Sequence, residues 1–210
     1  MHDQAESLRE RVKTAFHSIV CIGASTGGPG ALARIMAGLT ADVNVPLFIV
    51  QHMPAGFTKF LAQRLNTLTG LTVKEAEDGE TAKPGMVYIA PGDRHMTLRN
   101  AGGQLLVSID QSEPKNGHRP SVDKLLESAA AIDGYRKIAV ILTGMGVDGV
   151  AGLKALKAGG NTFAIAESEK SAAIFGMPGA VIRSGLADDI VHVDRVAKRL
   201  EEKLLQAERS

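Results

Sequence analysis

Hydrophobic residues in this chain follow two alternating patterns. Short β-branched runs bounded by glycine or proline, such as Ile19 to Gly23 and Pro46 to Val50, predict strands. The segments after them carry apolar residues at helical spacing and predict two helices, with apolar faces at Leu32, Ile35, Met36 and Leu39, and at Phe57, Phe60, Leu61, Leu65 and Leu68. This alternation of strand and helix is typical of a parallel sheet covered by helices.

The strongest strand signal lies in the second half of the chain. The run Lys137 to Leu142 has no polar break after its first residue, which predicts a central parallel strand that is buried on both faces. A helix is predicted from Ser121 to Ile132, with Ser121 as its cap. The pattern also predicts a hairpin of 96–98 with 105–109, weaker strands at 73–76 and 86–89, strands at 162–166 and 190–193, and helices at 150–158, 172–183 and 196–205.

Together these elements predict a doubly wound α/β domain, with a mostly parallel sheet, helices on both faces and a small antiparallel hairpin. We assign residues 18–210 to this domain and residues 1–17 to an N-terminal helical, linker-like segment. Chemistry in such folds lies at the carboxyl ends of the strands. The residues that follow the predicted strands are therefore the candidates for function.

Composition narrows the classes of function. The chain has 210 residues and a net charge of +1, so we expect one domain with no overall field that would draw it to nucleic acid or to an anionic membrane. Aromatic residues make up only 4% of the chain, which leaves little material for stacking on bases. The single Cys21 lies in an apolar run and predicts a buried, inert thiol. The sequence shows no membrane-length apolar run or secretion signal, and we expect a cytoplasmic protein without membrane insertion.

A glycine-rich loop, Gly23 to Gly30, follows the first predicted strand. A phosphate-binding Walker loop would need a lysine where Pro29 stands, and a dinucleotide-binding loop would need a glycine where Ser25 stands. The loop instead fits the G-x-S-x-G pattern, which presents a serine hydroxyl on a sharp turn between a strand and a helix. Ser25 is therefore the candidate nucleophile, and the Thr26 N–H at the helix start is a candidate donor to an oxyanion.

A nucleophilic serine needs a neighbouring base, and histidine is the usual one. His52 is the best placed of the six histidines because it ends the second predicted strand, beside the first. Asp148 follows the central strand and is the candidate acid that orients the base, with capping of the helix after it as an alternative or additional role. His95, His118 and Arg119 lie in loops and are candidate substrate contacts, with solvation as the alternative.

Two other classes of function remain open on the residues alone. A metal-assisted hydrolase could use His52, His95, Asp93 and Asp148, although the sequence has no short histidine or cysteine pair with metal-ligand spacing. A non-catalytic module could use the glycine-rich loop to hold an anion and so dock an acidic helix of a partner. Loss of turnover with Ser25→Ala and indifference to a chelator would favour the serine hypothesis.

Five motifs, in order along the chain, resemble the catalytic domain of the chemotaxis protein-glutamate methylesterase (CheB) family over about residues 18–205. They are Ile22 to Pro29, Gln51 to Pro54, His118 to Asp123, Leu142 to Gly149 and Phe175 to Pro178. The resemblance implies a serine hydrolase with Ser25 as nucleophile, His52 as base and Asp148 as orienting acid. It also implies that the Met145 N–H is a second oxyanion donor beside that of Thr26.

The same resemblance implies a reaction and its partners. The expected reaction is hydrolysis of glutamyl methyl esters on the cytoplasmic helices of chemoreceptors, with release of methanol and often with deamidation of receptor glutamines as a second activity. It implies neither a metal nor an organic cofactor, and the composition has already argued against a nucleic-acid partner.

Two features depart from the family pattern. Members usually carry an N-terminal receiver domain that covers the active site until it is phosphorylated, but only residues 1–17 precede the domain here. We expect either a stand-alone esterase that is active without phosphorylation, or the catalytic part of a protein whose receiver domain is its partner. Glu167 and Ser168 stand where the family commonly has Gln-Asp, and we expect altered specificity if these side chains line the substrate groove.

Overall fold

A computed structural model describes residues 17–208, and this part of the chain contains nine strands. They are β1 (Ser18–Ala24), β2 (Leu47–Gln51), β3 (Thr72–Glu75), β4 (Met86–Ile89), β5 (His95–Ala101), β6 (Gln104–Asp110), β7 (Arg136–Ile141), β8 (Thr162–Glu167) and β9 (Asp189–Val191). The predicted N-terminal helical segment, residues 1–17, lies outside the described residues apart from His17, which belongs to no helix.

Seven of these strands form one sheet in the order β3-β4-β2-β1-β7-β8-β9, and all neighbouring strands in it are parallel. Strands β5 and β6 form a separate antiparallel hairpin. The sheet is covered by α1 (Gly28–Gly38), α2 (Phe57–Asn66), α3 (Val122–Ala130), α4 (Val150–Ala158), α5 (Met177–Arg183) and α6 (Val193–Glu208).

The helices lie on both faces of the sheet, which confirms the predicted doubly wound α/β fold. Helices α1, α2 and α6 share one apolar cluster with alternate residues of β1, such as Val20 and Ile22. Helices α3, α4 and α5 and the hairpin share the other cluster, which takes Ile19 and Cys21 from β1. Because successive side chains of a strand point to opposite faces, a fully apolar strand such as β1 is buried on both sides. No helix within residues 17–208 is both long enough and apolar enough to span a membrane.

Two predicted helices differ from the structure. Phe57 and Phe60 were expected on the buried face of α2, but they are 57% and 69% exposed. Thr58 turns inward in their place, because its hydroxyl donates to Glu75 Oε1 (2.6 Å) and accepts from the N–H of Gly92 (2.9 Å). Thr58, held by these two hydrogen bonds, has thus taken the inward position predicted for Phe57 and Phe60, while Leu61 and Leu65 remain buried as predicted.

The helix predicted from residue 172 begins only at Met177. The segment before it pairs instead with the loop after β7: the Ile174 carbonyl accepts from Gly144 N (3.0 Å), and the Ile174 N–H donates to Thr143 Oγ1 (2.9 Å). Backbone groups used in this way are not available to a helix. The pairing brings this segment to the carboxyl ends of β1 and β7, where the candidate site lies.

Candidate active site

Ser25 directly follows β1 and begins a sharp turn into α1. Its N–H donates to the Thr143 carbonyl (3.0 Å), and its carbonyl accepts from Gly28 N (2.8 Å). Gly27 has a φ of +83°, a backbone conformation that residues with a side chain rarely adopt. A Cβ on Gly28 would lie 1.9 Å from Gln51 Oε1, so this position has no room for a side chain. These two glycines therefore permit the turn, which leaves Ser25 half-buried at the edge of the sheet.

His52 directly follows β2 and lies beside Ser25, because Ala24 and Gln51 are paired in the parallel register. The buried side-chain amide of Gln51 donates to the carbonyls of both Ser25 (2.9 Å) and His52 (3.1 Å) and so ties the two strand ends together. Within residues 17–208, no hydrogen bond joins Ser25 Oγ to the His52 ring. Such bonds are often long in free enzymes and tighten in the substrate complex.

The imidazole of His52 is oriented by Asp148. His52 Nε2 lies 2.8 Å from Asp148 Oδ2, and the His52 side chain is 10% exposed whereas that of Asp148 is fully buried. His52 Nδ1 is buried and has no hydrogen-bond partner within residues 17–208. Nδ1 is therefore the ring nitrogen that is free to accept a proton from a nucleophile.

Asp148 accepts four hydrogen bonds, three of them from the start of α3. The Ser121 hydroxyl and the Asp123 N–H donate to Oδ1, both at 2.9 Å, while the Val122 N–H (2.7 Å) and His52 Nε2 (2.8 Å) bind Oδ2. Burial opposes ionisation of Asp148, but the hydrogen bonds outweigh it and hold the pKa below its ordinary value. Asp148 is therefore ionised at neutral pH and faces the base.

Asp123, in the first turn of α3, makes the reverse contact with α4. Its Oδ1 accepts from Gly149 N (2.9 Å) and Gly152 N (2.7 Å), and Asn116 Nδ2 donates to Oδ2 (3.1 Å). Each aspartate thus binds N–H groups at the start of the other's helix, where the helix dipole favours negative charge. The alternative that Asp148 caps the helix after it is wrong: Gly149 is the N-cap of α4, and Asp148 binds the first N–H groups of α3.

The predicted oxyanion donors are the N–H groups of Thr26 and Met145. Both residues are exposed, and neither N–H donates to an acceptor within the described part of the chain. Gly144, next to Met145, packs against Ser25, since a Cβ on Gly144 would lie 2.7 Å from Ser25 Cβ. Free N–H groups near a nucleophile are what a tetrahedral intermediate requires.

The loop after β7 is held in place by two further side chains. The Thr143 hydroxyl donates to the Thr26 carbonyl (2.9 Å), and the Thr143 N–H donates to Glu167 Oε2 (2.7 Å). The other oxygen of Glu167 accepts from the Ser171 hydroxyl (2.9 Å), and Glu167 is buried. Glu167 therefore supports the loop that carries Met145 and does not line a substrate groove.

An open cleft of about 510 Å³ lies over His52, with walls that include Met53, Pro54, Asp93, His118, Arg119 and Pro120. The His118 ring is stacked on the His52 ring, with 4.0 Å between the ring centres and 9° between the planes. The Arg119 guanidinium donates to Asp93 Oδ1 (2.7 and 3.1 Å) and to the carbonyls of two loop residues, Gln111 and Ser112. His118 and Arg119 thus both line the cleft, but most N–H groups of Arg119 already donate hydrogen bonds within the protein.

His95 does not reach this cleft. It is fully buried, and its Nε2 lies 3.1 Å from the Glu113 carbonyl. This position does not support a substrate contact, nor the metal set that combined His95 with His52. Among the described residues, no group of three or more His, Cys, Asp or Glu side chains is arranged to hold a metal ion.

Four residues of this site were not predicted from the sequence as parts of it. Gln51 and Thr143 act through backbone carbonyls, and the signal available for them was their place in two of the motifs that resemble the family, Gln51 to Pro54 and Leu142 to Gly149. Ser121 and Asp123 lie in the segment His118 to Asp123, whose resemblance to the family was the signal available. The sequence placed them only near a helix start.

A parallel α/β sheet that carries a serine turn, a histidine and a buried aspartate at its carboxyl edge has the arrangement of a serine hydrolase. The chain belongs to the CheB methylesterase family, whose sequence model matches residues 20–200.

Relatives and a solved structure agree with this assignment. The chain is 56% identical over 197 residues to a protein-glutamate methylesterase/protein-glutamine glutaminase of Geobacillus kaustophilus. The aligned region covers 92% of this chain and 56% of the relative. It is 49% identical over 179 residues to the Bacillus subtilis protein of the same name, covering 85% and 50%. The crystal structure of the Thermotoga maritima CheB methylesterase catalytic domain is 46% identical and superposes with a TM-score of 0.85, covering 92% of this chain and 100% of that domain. The chain spans about half the length of the curated relatives it matches.

Proposed function

We propose that this chain demethylates glutamyl methyl esters on the cytoplasmic helices of chemoreceptors and releases methanol. The observation that carries the proposal is the bond between His52 and the buried Asp148, at 2.8 Å, beside the Ser25 turn. The family supplies the substrate class, because the relatives are named protein-glutamate methylesterases. The proposed catalytic set is Ser25, His52 and Asp148.

In the proposed reaction, Ser25 Oγ attacks the ester carbonyl carbon while His52 Nδ1 takes the hydroxyl proton. Ionised Asp148 stabilises the imidazolium, and the N–H groups of Thr26 and Met145 bind the oxyanion. The bond to the methoxy oxygen then breaks, and His52 gives its proton to the leaving methanol. Water hydrolyses the acyl-enzyme through the same groups and leaves a free glutamate.

The same site supports a second proposed reaction. An amide carbonyl can replace the ester carbonyl in every step, with ammonia as the leaving group, and the relatives' names include protein-glutamine glutaminase. Neither reaction requires a metal or an organic cofactor. We place both in the cytoplasm, because the proposed substrates are the cytoplasmic helices of the receptors. If the chain is the catalytic part of a longer protein, a receiver domain is a further partner.

Methanol release from membranes that carry methylated receptors tests the proposal. We expect Ser25→Ala to remove nearly all release, because no other group in the site supplies the attacking oxygen. Ser184→Ala is the matched control, since Ser184 is exposed at the end of α5, and it should keep full activity. Methanol release by Ser25→Ala would overturn the serine mechanism, and loss of release with a chelator would favour the metal-assisted hydrolase.

A further inference from the structure

The His118 ring lies over the face of the His52 ring, the proposed base, and not at its edge. Its ring covers one face of the His52 ring, with 4.0 Å between centres and 9° between planes. Within residues 17–208 the His118 side chain makes no hydrogen bond, so this stacking is its main contact with the site. A residue held in this way acts on His52 through its aromatic face.

The loop that carries His118 is fixed from several sides. Lys115 and His118 exchange two backbone hydrogen bonds (2.9 and 3.1 Å) around a tight turn in which Asn116 and Gly117 both have positive φ. Lys115 forms an ion pair with Glu127 of α3.

The rest of the loop is anchored as firmly. The Asn116 amide donates to Asp123 (3.1 Å), and the Arg119 guanidinium donates to Asp93 and to the carbonyls of Gln111 and Ser112. These contacts hold the backbone of His118 on both sides, so its ring position is set before substrate arrives.

We propose that His118 is a positioning residue that stacks on His52 and stabilises its protonated form during the reaction. The proposal rests on the proposed function, in which His52 becomes an imidazolium. An aromatic face stacked on a cation attracts it and also restricts rotation of the ring. With Asp148 at the ring edge and His118 on the ring face, His52 keeps Nδ1 directed away from the acid.

The stack requires that His118 be neutral when His52 is protonated. Burial, and then the charge of His52, lower the pKa of His118, while Asp148 acts in the opposite direction. The other charged groups of the cleft, Arg119 and Asp93, are paired with each other. The lowered pKa keeps His118 neutral, and Asp148 is hydrogen-bonded directly to the His52 ring and not to that of His118.

A substrate contact is the competing role for His118, and three variants separate the two. His118→Phe keeps an aromatic face and removes the ring nitrogens, whereas His118→Asn keeps a polar donor and removes the face. His118→Ala removes both. We expect Phe to keep most of kcat, and Asn and Ala each to lower kcat by about 10-fold with KM little changed, from the typical strength of such stacking.

The measurement is kcat and KM for methanol release, with the melting temperature of each variant as a check on folding. Recovery of kcat by Asn and not by Phe would overturn the proposal in favour of a hydrogen bond to substrate. Equal loss in all three variants, or full activity in all three, would also overturn it. Activity of Ser25→Ala in the same assay would instead refute the proposed function, so the two failures are distinguishable.

Discussion

The two ends of the candidate site are built by different means. At the Ser25 end, backbone groups and glycines shape the turn, and the Ser25 hydroxyl and the N–H groups of Thr26 and Met145 have no partner within residues 17–208. At the Asp148 end, both carboxylate oxygens accept two hydrogen bonds each, in a fully buried position.

This difference follows from what each end would have to do. Groups that meet a substrate must keep their hydrogen-bonding capacity free, so their geometry has to come from the backbone around them. A group that only orients and stabilises a charge can be held by as many donors as the fold provides. The serine end should therefore respond to changes of shape, and the acid end to changes of hydrogen-bonding chemistry.

Among changes that keep all three proposed catalytic groups in some form, the largest expected effect is at the acid end, with Asp148→Asn. The amide preserves the shape but presents an N–H where His52 or the Val122 N–H needs an acceptor. We expect kcat to fall by about 10⁴-fold, the scale of the same change in an unrelated serine protease. The melting temperature should also fall, because a buried N–H left without an acceptor costs about 1–3 kcal/mol.

Turnover and thermal melting on one preparation test this prediction. A lowered melting temperature with activity intact would contradict the orienting role and leave Asp148 as a purely structural group.

A smaller effect is expected at the serine end, with Gly144→Ala. A Cβ there would lie 2.4 Å from Met177 Sδ and 2.7 Å from Ser25 Cβ, so Ser25 or the loop must move. We expect kcat to fall by about 10²-fold, which is typical of a displacement near 1 Å in an active site. Gly30→Ala is the matched control, because nothing lies within 4 Å of its Cβ position.

Gly30→Ala should keep activity and gain stability, since alanine is the better helix former. Unchanged turnover in Gly144→Ala would show that the serine end tolerates changes of shape, which would contradict the proposed difference between the two ends of the site.

The smallest expected effect concerns Asp123, which supports the acid end from one step away. Burial, together with the charge of Asp148, raises the pKa of Asp123 despite the N–H donors of Gly152 and Gly149. A raised folded pKa contributes stability that is present below the unfolded value, about 3.9, and is lost as pH rises through the folded value.

The wild-type chain should therefore lose stability relative to Asp123→Asn as pH rises from about 3.5, just below the unfolded value, to about 7. Urea unfolding of both proteins at the two pH values measures this difference. A relative gain for the wild type over the same range would mean that the folded protein favours the ionised form of Asp123.

Most of the fold could be predicted from the sequence, and the candidate site in part. An apolar run such as Lys137 to Leu142 predicts a parallel strand that is buried on both faces, because its side chains are stable only away from water. The structure confirms this prediction as β7. The spacing of apolar residues predicted the wrong positions for Phe57 and Phe60, because the hydrogen bonds of Thr58 decide which side of the helix start faces inward. The helix predicted from residue 172 was also wrong before Met177, because backbone groups there form hydrogen bonds with the loop after β7 instead of within a helix.

Within the site, the sequence could place Ser25 and His52 next to each other, since they follow neighbouring strands. It could not show that His95 begins β5 and is enclosed while His118 covers His52, because the sequence predicts a loop position for both histidines. The direction of each side chain depends on contacts between residues that are distant in the sequence, such as that of Arg119 with Asp93.

The exchange of aspartates between α3 and α4 also bears on how this region opens. The amides of Val122 and Asp123 are held by Asp148, and those of Gly149 and Gly152 are held by Asp123. Neither helix start can fray without releasing the other, so the two behave as one cooperative unit in local unfolding. Fraying at the start of either helix therefore also loosens the hold on Asp148, and the acid remains in place for as long as this unit is folded.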